Sequence, residues 1–448
     1  MKPKIVFFSR SYQGKLFPLL KSDNYDSIHV TLTMNEKKEL EKKGFNIKYC
    51  FEEYDNSNFN IDPSYLLTSY LSDRFLHKYR IDQRLQILKN EASFWSDIFD
   101  EFQPIVVINE QVAIEISEVM YIEAKKRSIK YLAWMTNPVN GYFYWVTDPL
   151  SLSLDKNIFD TEPSERSINL AEKYFNNIVE TNERPYYLIP YLKYNRFRNL
   201  LSSIRRFIKT YCHETFRNKK GRSYEDYHNE AINLFNLALR SYMFSYDDIE
   251  MLDKYEIVLY PLHFEPEASL SYLSEFFSNQ AAVIENISKC LNNDQILVVK
   301  EHPAQPNKLL SKKYQYLRKS VSNLYYLPHK ITSYEIINKS TLIVTLTSHL
   351  GWEALILGKP VFLFGKMFYD NYPKINLFQS YDQLKHDIRK KTYKFPDKMS
   401  IIKYTAQLLE ISDKGMPFPC DDLYKEENIN NIIKAIEKEI TKIIALKS

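Results

Sequence analysis

The sequence predicts an α/β fold with two Rossmann-like domains that face a cleft, a helical insertion between them and a helix at the C-terminal end. Short apolar runs typical of buried strands alternate with amphipathic stretches near both ends of the chain, which indicates βαβ units and parallel sheets. Between residues 164 and 248 the strand pattern disappears and helical periodicity remains. We therefore expect domains at 1–160, 161–250 and 251–405, and a terminal helical segment at 406–448 that packs on the first domain.

Each domain is predicted from its elements in chain order. In the first domain, strands are expected at Lys4–Phe8, Ile28–Leu32, Pro104–Asn109 and Lys130–Trp134, and helices near Leu16–Leu20 and at Asn35–Lys43, Tyr65–Asp100 and Ala113–Arg127. In the insertion, helical periodicity covers Leu170–Asn182, Arg196–Tyr211 and Tyr224–Phe244. In the last domain, strands are expected at Glu256–Tyr260, Gln295–Lys300, Leu324–Leu327, Thr341–Leu346 and Pro360–Phe364. The helices there are expected at Phe276–Leu291, near Gln305–Lys319 and at Ile331–Lys339, His349–Leu357 and Glu426–Lys447.

Composition limits the classes of protein to which the chain can belong. With 448 residues, 44% hydrophobic and 26% charged, it matches a soluble globular protein and not a disordered one. The four cysteines form no CxxC pair, which argues against a structural zinc site and a disulfide scaffold and favours the reducing cytoplasm. The net charge of +4 is uneven, because residues 184–222 hold eleven Lys or Arg and one acidic residue. No run of about 18 apolar residues occurs that would span a membrane.

One group of polar residues follows the apolar strand that ends at Lys300. Pro303 suits the first turn of a helix, so His302 is expected at the N-terminus of that helix. A cationic or hydrogen-bonding side chain beside a helix N-terminus suits a phosphate group. An ordinary strand-to-helix turn would explain the same residues.

A second group follows the strand expected at Thr341–Leu346. Three of the eight glycines of the chain lie there, between residues 351 and 365. Ser348 is a natural N-cap, and Gly351 at the third helical position leaves no capping box to engage the Glu353 carboxylate. Gly351 lets a ligand approach the backbone, while hydroxyls and free N–H groups at the helix start can hold phosphate oxygens. We predict a nucleotide phosphate site here; a well-capped helix with glycines for packing is the alternative.

A third group, at Tyr260–Ser269, holds His263 and two carboxylates, Glu265 and Glu267. Such a group on a loop at a strand end can supply acid–base or nucleophilic chemistry, although a structural ion-pair cluster is the alternative. A metal site is not expected, because no second pair of ligands with suitable spacing stands nearby. In the first domain Glu110 ends the best strand and is a further candidate base.

These three groups resemble the capsular polysaccharide biosynthesis family of bacterial glycosyltransferases. The matching segments are VLYPLHFEPEAS (258–269), LVVKEHP (297–303) and TLTSHLGWEALILGKPVFLFGKMFY (345–369). The resemblance covers residues 250–370 and implies the two-Rossmann fold called GT-B, in which the domain at 1–160 would bind the acceptor and the domain at 251–405 the nucleotide sugar. It also implies transfer of a sugar from a nucleotide donor, with a CMP-sugar carrying Kdo or a similar acid favoured, to a surface polysaccharide or lipid-linked glycan.

The resemblance also assigns parts to individual residues. Lys300 and His302 would contact the nucleotide phosphate, Thr347 and Ser348 would cradle it, and Glu353 would bind the nucleoside side. In Kdo transferases of this kind, Asp stands at the position of Glu267 and Gln at the position of His263.

Glycosyl transfer needs stabilisation of a departing phosphate and a base or nucleophile near the anomeric carbon. Among our catalytic candidates, His302 would stabilise the departing phosphate. The base or nucleophile would be Glu267, with His263 beside it, or Glu110. Because no DxD motif stands in an obvious strand-end loop, we expect a metal-independent reaction with no cofactor besides the donor.

Two other classes of function remain open. An epimerase acting on nucleotide sugars would use the same architecture. A non-catalytic protein could instead bind RNA or membrane through the basic segment 184–222, where aromatic residues are interspersed. A solvated helix face would explain this segment too. If the segment binds a partner, we expect the anionic inner face of the cytoplasmic membrane and not a nucleic acid.

Overall fold

The computed structural model describes residues 2–54, 79–151, 154–181, 243–265 and 267–446, with a few isolated positions between 201 and 241. Most of the basic segment 184–222, and most of the helices expected at Arg196–Tyr211 and Tyr224–Phe244, lie outside the described residues. The chain divides into two compact units: the first comprises Met1–Ala171, Ser271–Leu273 and Lys403–Ser448, and the second comprises Glu172–Leu270 and Ser274–Ile402.

The strands and helices of the described residues alternate for most of the chain. The strands are β1 (Lys4–Phe8), β2 (Asp26–Thr31), β3 (Tyr49–Cys50), β4 (Val106–Asn109), β5 (Lys130–Thr136), β6 (Tyr142–Val146), β7 (Glu256–Pro261), β8 (Gln295–Lys300), β9 (Leu324–Leu327), β10 (Ser340–Thr345), β11 (Val361–Leu363), β12 (Asn376–Leu377) and β13 (Asp413–Lys414). The α-helices are α1 (Gln13–Leu16), α2 (Met34–Glu41), α3 (Ile81–Phe102), α4 (Glu115–Lys126), α5 (Glu165–Thr181), α6 (Gln280–Ser288), α7 (Lys312–Ser320), α8 (Ser333–Lys339), α9 (His349–Ile356), α10 (Tyr381–Lys390), α11 (Lys398–Glu410) and α12 (Glu426–Ala445).

The first unit is built on a seven-stranded sheet of order β13-β6-β5-β4-β1-β2-β3. The pairs from β5 through β3 are parallel, with Phe7 of β1 opposite Ile108 of β4 and His29 of β2. The α/β class and the predicted parallel sheet are therefore confirmed in this unit.

The edge of this sheet was not predicted, because β6 pairs with β5, and β13 with β6, in antiparallel fashion. Only five residues separate Thr136 from Tyr142, and a parallel crossover needs about a dozen. Gly141 adopts φ +86°, a left-handed conformation that suits glycine in this tight return.

The terminal helix α12 packs on the first sheet. Its apolar side chains Ile432, Ile436, Ile440 and Ile443 are buried in one cluster with Ile5, Phe7, Val106, Ile108 and Trp134 of the strands. The spacing of these isoleucines, three or four residues apart, places them on one face of the helix. Burial of that face fixes the C-terminal segment in the same core as the first strand of the chain.

The second unit is built on a six-stranded, wholly parallel sheet of order β12-β11-β10-β7-β8-β9. Its strands are buried on both faces, and all six residues of β8 are buried, as the continuous apolar sequence of such strands predicts. The expected parallel architecture is confirmed here as well. No helix among the described residues is long and apolar enough to cross a lipid bilayer.

The helix expected near Gln305–Lys319 is wrong in nearly its first half. The chain turns after β8, Asn307 takes a left-handed φ of 67°, and α7 begins only at Lys312. A left-handed residue does not continue a right-handed helix, so α7 can begin only after Asn307. His302 therefore lies in a turn and not at the N-terminus of a helix.

Candidate functional site

The carboxyl edge of the second sheet brings together the three groups of residues predicted from the sequence. From β7 the chain proceeds to β8 and β9 on one side, and it returns to β10 on the other. The junction of β7 and β10 is thus a topological switch point, where open parallel sheets bind their ligands. The segments after β7, β8 and β10 carry His263, Lys300 with His302, and Thr347 with Ser348.

His263 joins two of these segments directly. Its Nε2 accepts a hydrogen bond of 3.0 Å from the backbone N–H of Thr347, which is 84 residues away in sequence. Burial, followed by the charge of His302, lowers the pKa of His263 to about 3. The ring is therefore neutral, and its proton lies on Nδ1, which is buried without a hydrogen-bond partner in the described residues. This contact gives His263 a role in shaping the loop after β10; its expected catalytic role stays a prediction.

Gln280, the first residue of α6, is a site residue that sequence reasoning missed. Its side chain is fully buried and its Oε1 accepts the backbone N–H of His263 at 2.8 Å. Its Nε2 donates to the carbonyl oxygen of His263 at 3.1 Å and to Oε1 of Glu265 at 2.9 Å. The amide therefore clamps the backbone of His263 on both sides. No local signal identifies such a residue, since its partners lie 15 and 17 residues away.

The two carboxylates after β7 both have hydrogen-bond partners within the protein. Glu265 accepts from the hydroxyl of Tyr314 at 2.9 Å and from Gln280, and Lys308 Nζ lies 3.3 Å from its second oxygen. It is thus the centre of a structural cluster. Glu267 is half-buried and accepts from the Ser269 hydroxyl at 2.7 Å. Glu267 has further contacts within the protein, and its expected catalytic role stays a prediction.

His302 is neutral in this structure. Burial, with the charge of Lys300 as a second cause, lowers the pKa of the ring to about 4. Its Nδ1 accepts the backbone N–H of Ala304 at 3.2 Å, so the proton lies on Nε2. The expected contribution of His302 to phosphate binding is therefore a neutral N–H donor, and the buried cation of this edge is Lys300, only 3% exposed.

Glu301, between these two residues, has a structural role that the sequence did not indicate. It is 1% exposed and accepts from the Tyr246 hydroxyl at 2.7 Å and from the backbone N–H of Leu309 at 3.0 Å. His329 Nδ1 lies 3.4 Å from its other oxygen. These contacts hold the segment after β8 in place and thereby position Lys300 and His302.

The helix start after β10 agrees with the sequence. Ser348 is the N-cap of α9, and its hydroxyl accepts the backbone N–H of Leu350 at 3.1 Å. The predicted N-cap is therefore confirmed. The hydroxyl of Thr347 is buried and has no hydrogen-bond partner in the described residues. Its expected part in cradling a phosphate stays a prediction.

Gly351 has a packing reason for being glycine. A Cβ at this position would overlap the hydroxyl of Tyr369 and stand 3.0 Å from Cγ2 of Thr345. That hydroxyl donates to the carbonyl of Ser348 at 2.6 Å and so closes the first turn of α9. The space beside Gly351 is filled by protein, and its backbone N–H donates to the carbonyl of Ser348 at 3.1 Å. Its expected place in the nucleotide site stays a prediction.

The carboxyl of Glu353, one turn into α9, is strongly affected by burial. Burial raises the pKa of its carboxyl to about 7, and the charge of Lys300 opposes that rise. The group is therefore partly protonated near neutral pH and can donate as well as accept a hydrogen bond. Its expected role beside a nucleoside stays a prediction.

Glu110 belongs to the first unit and has contacts of its own. Its carboxylate oxygens lie 3.1 Å from Nη2 of Arg10 and 3.3 Å from the hydroxyl of Tyr12. Both oxygens thus have protein partners, and the expected role of Glu110 as a base stays a prediction. Within the described residues, no three His, Cys, Asp or Glu side chains are grouped so that they could hold a metal ion.

Comparisons with known proteins give one match in sequence and several in structure. The model of a family described as "Capsule polysaccharide biosynthesis protein" matches residues 155–402, more than half of the chain. No curated protein matches this chain. The β-Kdo 2,7 transferase KpsC of Thermosulfurimonas dismutans is 16% identical, with TM-score 0.35, over 77% of this chain and 89% of that one.

A second similar structure is the UDP-GlcNAc 2-epimerase of Neisseria meningitidis bound to UDP-GlcNAc. It is 15% identical with a TM-score of 0.31, over 99% of this chain and 100% of that one.

Proposed function

Because the chain belongs to the capsule polysaccharide biosynthesis protein family, we propose that it is a glycosyltransferase that takes its sugar from a nucleotide donor. The membership confirms the resemblance predicted from the three motifs. The proposed acceptor is a growing capsule glycan or a lipid-linked glycan, and the proposed donor is a CMP-sugar, which is what the resemblance of the Lys300–Pro303 segment implies.

The observation that carries the proposal is the set of groups at the carboxyl edge of the second sheet. A buried ammonium at Lys300, a neutral N–H donor at His302 and the N-terminus of α9 at Ser348 all suit a phosphate group. Glu353 adds a carboxyl that can exchange hydrogen bonds with the hydroxyls of a ribose. A nucleoside phosphate combines both requirements.

The proposed reaction uses Glu267 as a general base. The carboxylate takes the proton of the acceptor hydroxyl, whose oxygen forms a bond to the anomeric carbon of the donor. The bond from that carbon to the phosphate oxygen breaks, and the electron pair leaves with the nucleotide, where Lys300 and His302 stabilise the negative charge. Base catalysis in a single displacement inverts the anomeric configuration, whereas a nucleophilic Glu267 would retain it.

Two measurements test the proposal. A thermal-shift screen of CMP-, UDP- and GDP-sugars identifies the donor, because a ligand that binds the native state raises the apparent stability. Incubation with that donor and a glycan acceptor then distinguishes transfer from isomerisation of the donor, which is what an epimerase would give. The absence of both nucleotide binding and transfer would refute the proposal.

Glu267→Gln tests the assignment of the base. The change keeps the shape and removes the charge, so kcat should fall by about 10²-fold or more with donor affinity nearly unchanged. Glu285→Gln is the matched control, because Glu285 pairs with Lys289 on an exposed helix face and should leave kcat unchanged. If Glu267→Gln retains activity within a few-fold, Glu110 takes over as the candidate base and Glu110→Gln is the next variant.

A further inference from the structure

The pairing of β7 with β8 ends just before the residues of the candidate site. The strands end at Pro261 and Lys300, and the backbone N–H of Leu262 donates to the carbonyl of Lys300 at 2.8 Å. Beyond this bond, one segment leads to Glu267, the proposed base, and the other to His302, a proposed phosphate donor. The strand pairing itself therefore does not fix the distance between these two groups.

The side chain of Gln305 joins the two segments beyond the strands. Its Oε1 accepts the backbone N–H of Glu265 at 3.0 Å, and its Nε2 donates to the carbonyl of the same residue at 2.6 Å. A side chain thus pairs with Glu265 as a neighbouring strand would. Gln305 belongs to the turn of His302, because its own backbone N–H donates to the His302 carbonyl at 3.0 Å.

Other contacts hold the same stretch after β7. The ring of Phe264 meets the ring of His302 edge to face, with centroids 6.0 Å apart. Gln280 holds the N–H and the carbonyl of His263 in the same two-point manner as Gln305 holds Glu265. Residues 263–265 are therefore fixed one after another, the first to α6 and the next two to the turn after β8.

The placement of Glu265 bears directly on Glu267. Two residues of chain span at most about 7 Å, so a shift of Glu265 is passed on to Glu267. The Glu267 carboxylate accepts from Ser269, which lies in the same segment and would move with it. A misplacement of about 1 Å between reacting groups can lower a rate about 10²-fold. We infer that Gln305 is a positioning residue that sets the distance between the Glu267 carboxylate and the phosphate held at His302.

This inference rests on the proposed function and adds a residue to it. The phosphate-binding groups have supports that do not involve the Gln305 side chain. Glu301 holds the segment after β8 through Tyr246 and Leu309, and Ser348 caps α9. Loss of the Gln305 amide should therefore slow transfer and leave nucleotide binding intact.

Gln305→Leu tests this separation, because it removes both hydrogen bonds at similar volume. The kcat for transfer should fall about 10-fold or more. The dissociation constant of the tightest of CMP, UDP and GDP, measured by calorimetry, should change less than about 3-fold. Gln295→Leu is the matched control, since Gln295 is also buried and bonds Glu256 at the opposite end of β8; it should leave kcat unchanged.

A double-mutant cycle asks whether Gln305 acts through Glu267. In the Glu267→Gln background, Gln305→Leu should cost little further activity, because the base that it positions is already absent. A general loss of structure would instead lower kcat by the same factor in both backgrounds. Circular dichroism shows whether each variant is folded. If Gln305→Leu is not folded, Gln305→Glu replaces it, since a carboxylate against the Glu265 carbonyl should lower kcat in the same way.

Three outcomes would overturn the inference and leave the proposed transfer standing. They are an unchanged kcat in Gln305→Leu, an equal loss of kcat and of nucleotide affinity, and additive losses in the cycle with Glu267→Gln. If the wild type transfers no sugar, the proposed function fails first and the inference fails with it.

Discussion

At the scale of single residues, the carboxyls of the second unit are distinguished by their surroundings. Glu265 is held by Lys308, Tyr314 and Gln280, and Glu301 is enclosed by backbone and hydroxyl donors. At Glu353 burial outweighs the charge of Lys300 and raises the pKa of the carboxyl to about 7. Identical side chains thus provide a structural anchor in two places and a titrating group in a third.

The raised pKa of Glu353 predicts how stability depends on pH. The folded-state pKa of about 7 exceeds the usual carboxyl value. The contribution of Glu353 to the free energy of unfolding is therefore fully present below about pH 4 and is lost as the pH rises through 7. Glu353→Gln mimics the protonated form and should remove that loss. We expect the melting temperature of the variant, measured from pH 5 to 8, to fall less than that of the wild type.

Glu427→Gln is the control for this pH series, since Glu427 is exposed on α12 and should leave the wild-type profile unchanged. Parallel pH profiles of wild type and Glu353→Gln would contradict the assigned protonation of Glu353.

At the scale of elements, the first turn of α9 is held by side chains from outside the helix. Ser348 caps the N-terminus, and the Tyr369 hydroxyl reaches the Ser348 carbonyl through the gap left by Gly351. The glycine therefore serves close packing of Tyr369 against the helix.

Gly351→Ala should lower the stability of the protein by about 1–3 kcal/mol, because the new methyl group overlaps the Tyr369 hydroxyl in a packed interior. Tyr369→Phe in the same chain should restore part of the loss by removing the overlapping oxygen. Urea denaturation measures both. In the control Gly14→Ala, the new Cβ would stand 3.4 Å from the Ser9 carbonyl oxygen, an ordinary contact, and no comparable loss is expected. Equal stability of Gly351→Ala and wild type would contradict this role.

At the scale of the whole molecule, the two units share one design. In each, the chain leaves a central strand toward one side and returns to the other, and polar residues gather at the resulting switch point. In the first unit Arg10 meets Glu110, and in the second His263 meets Thr347. The same topology thus produces an ion pair in one unit and a neutral ring against a backbone amide in the other.

The charge distribution of the whole chain leads to one further prediction. Residues 184–222 concentrate basic charge, and each Lys or Arg near an anionic bilayer contributes about 1 kcal/mol of attraction. We propose that this segment attaches the protein to the inner membrane surface, where a lipid-linked acceptor would lie. Replacing Arg205, Arg206 and Lys209 by Glu should weaken sedimentation with anionic liposomes at low salt.

The control replaces the exposed Lys38, Lys42 and Lys43 by Glu, an equal change of charge elsewhere in the chain. If the wild type does not bind anionic liposomes, or if both triple variants lose binding equally, the segment has no specific part in attachment.

The sequence by itself determined the α/β class, the parallel order of most strands and the N-cap at Ser348, because these follow from local periodicity and from capping within a few residues. It also located the three polar groups at strand ends. Tertiary structure decided which of those groups are engaged: His263 meets Thr347 across 84 residues, and Arg10 meets Glu110 across 100. Gln280 and the antiparallel edge of the first sheet were likewise beyond local patterns. Hydrogen-bond partners and burial depend on which strands become neighbours. They make Glu265 the centre of a structural cluster and raise the pKa of Glu353 to about 7.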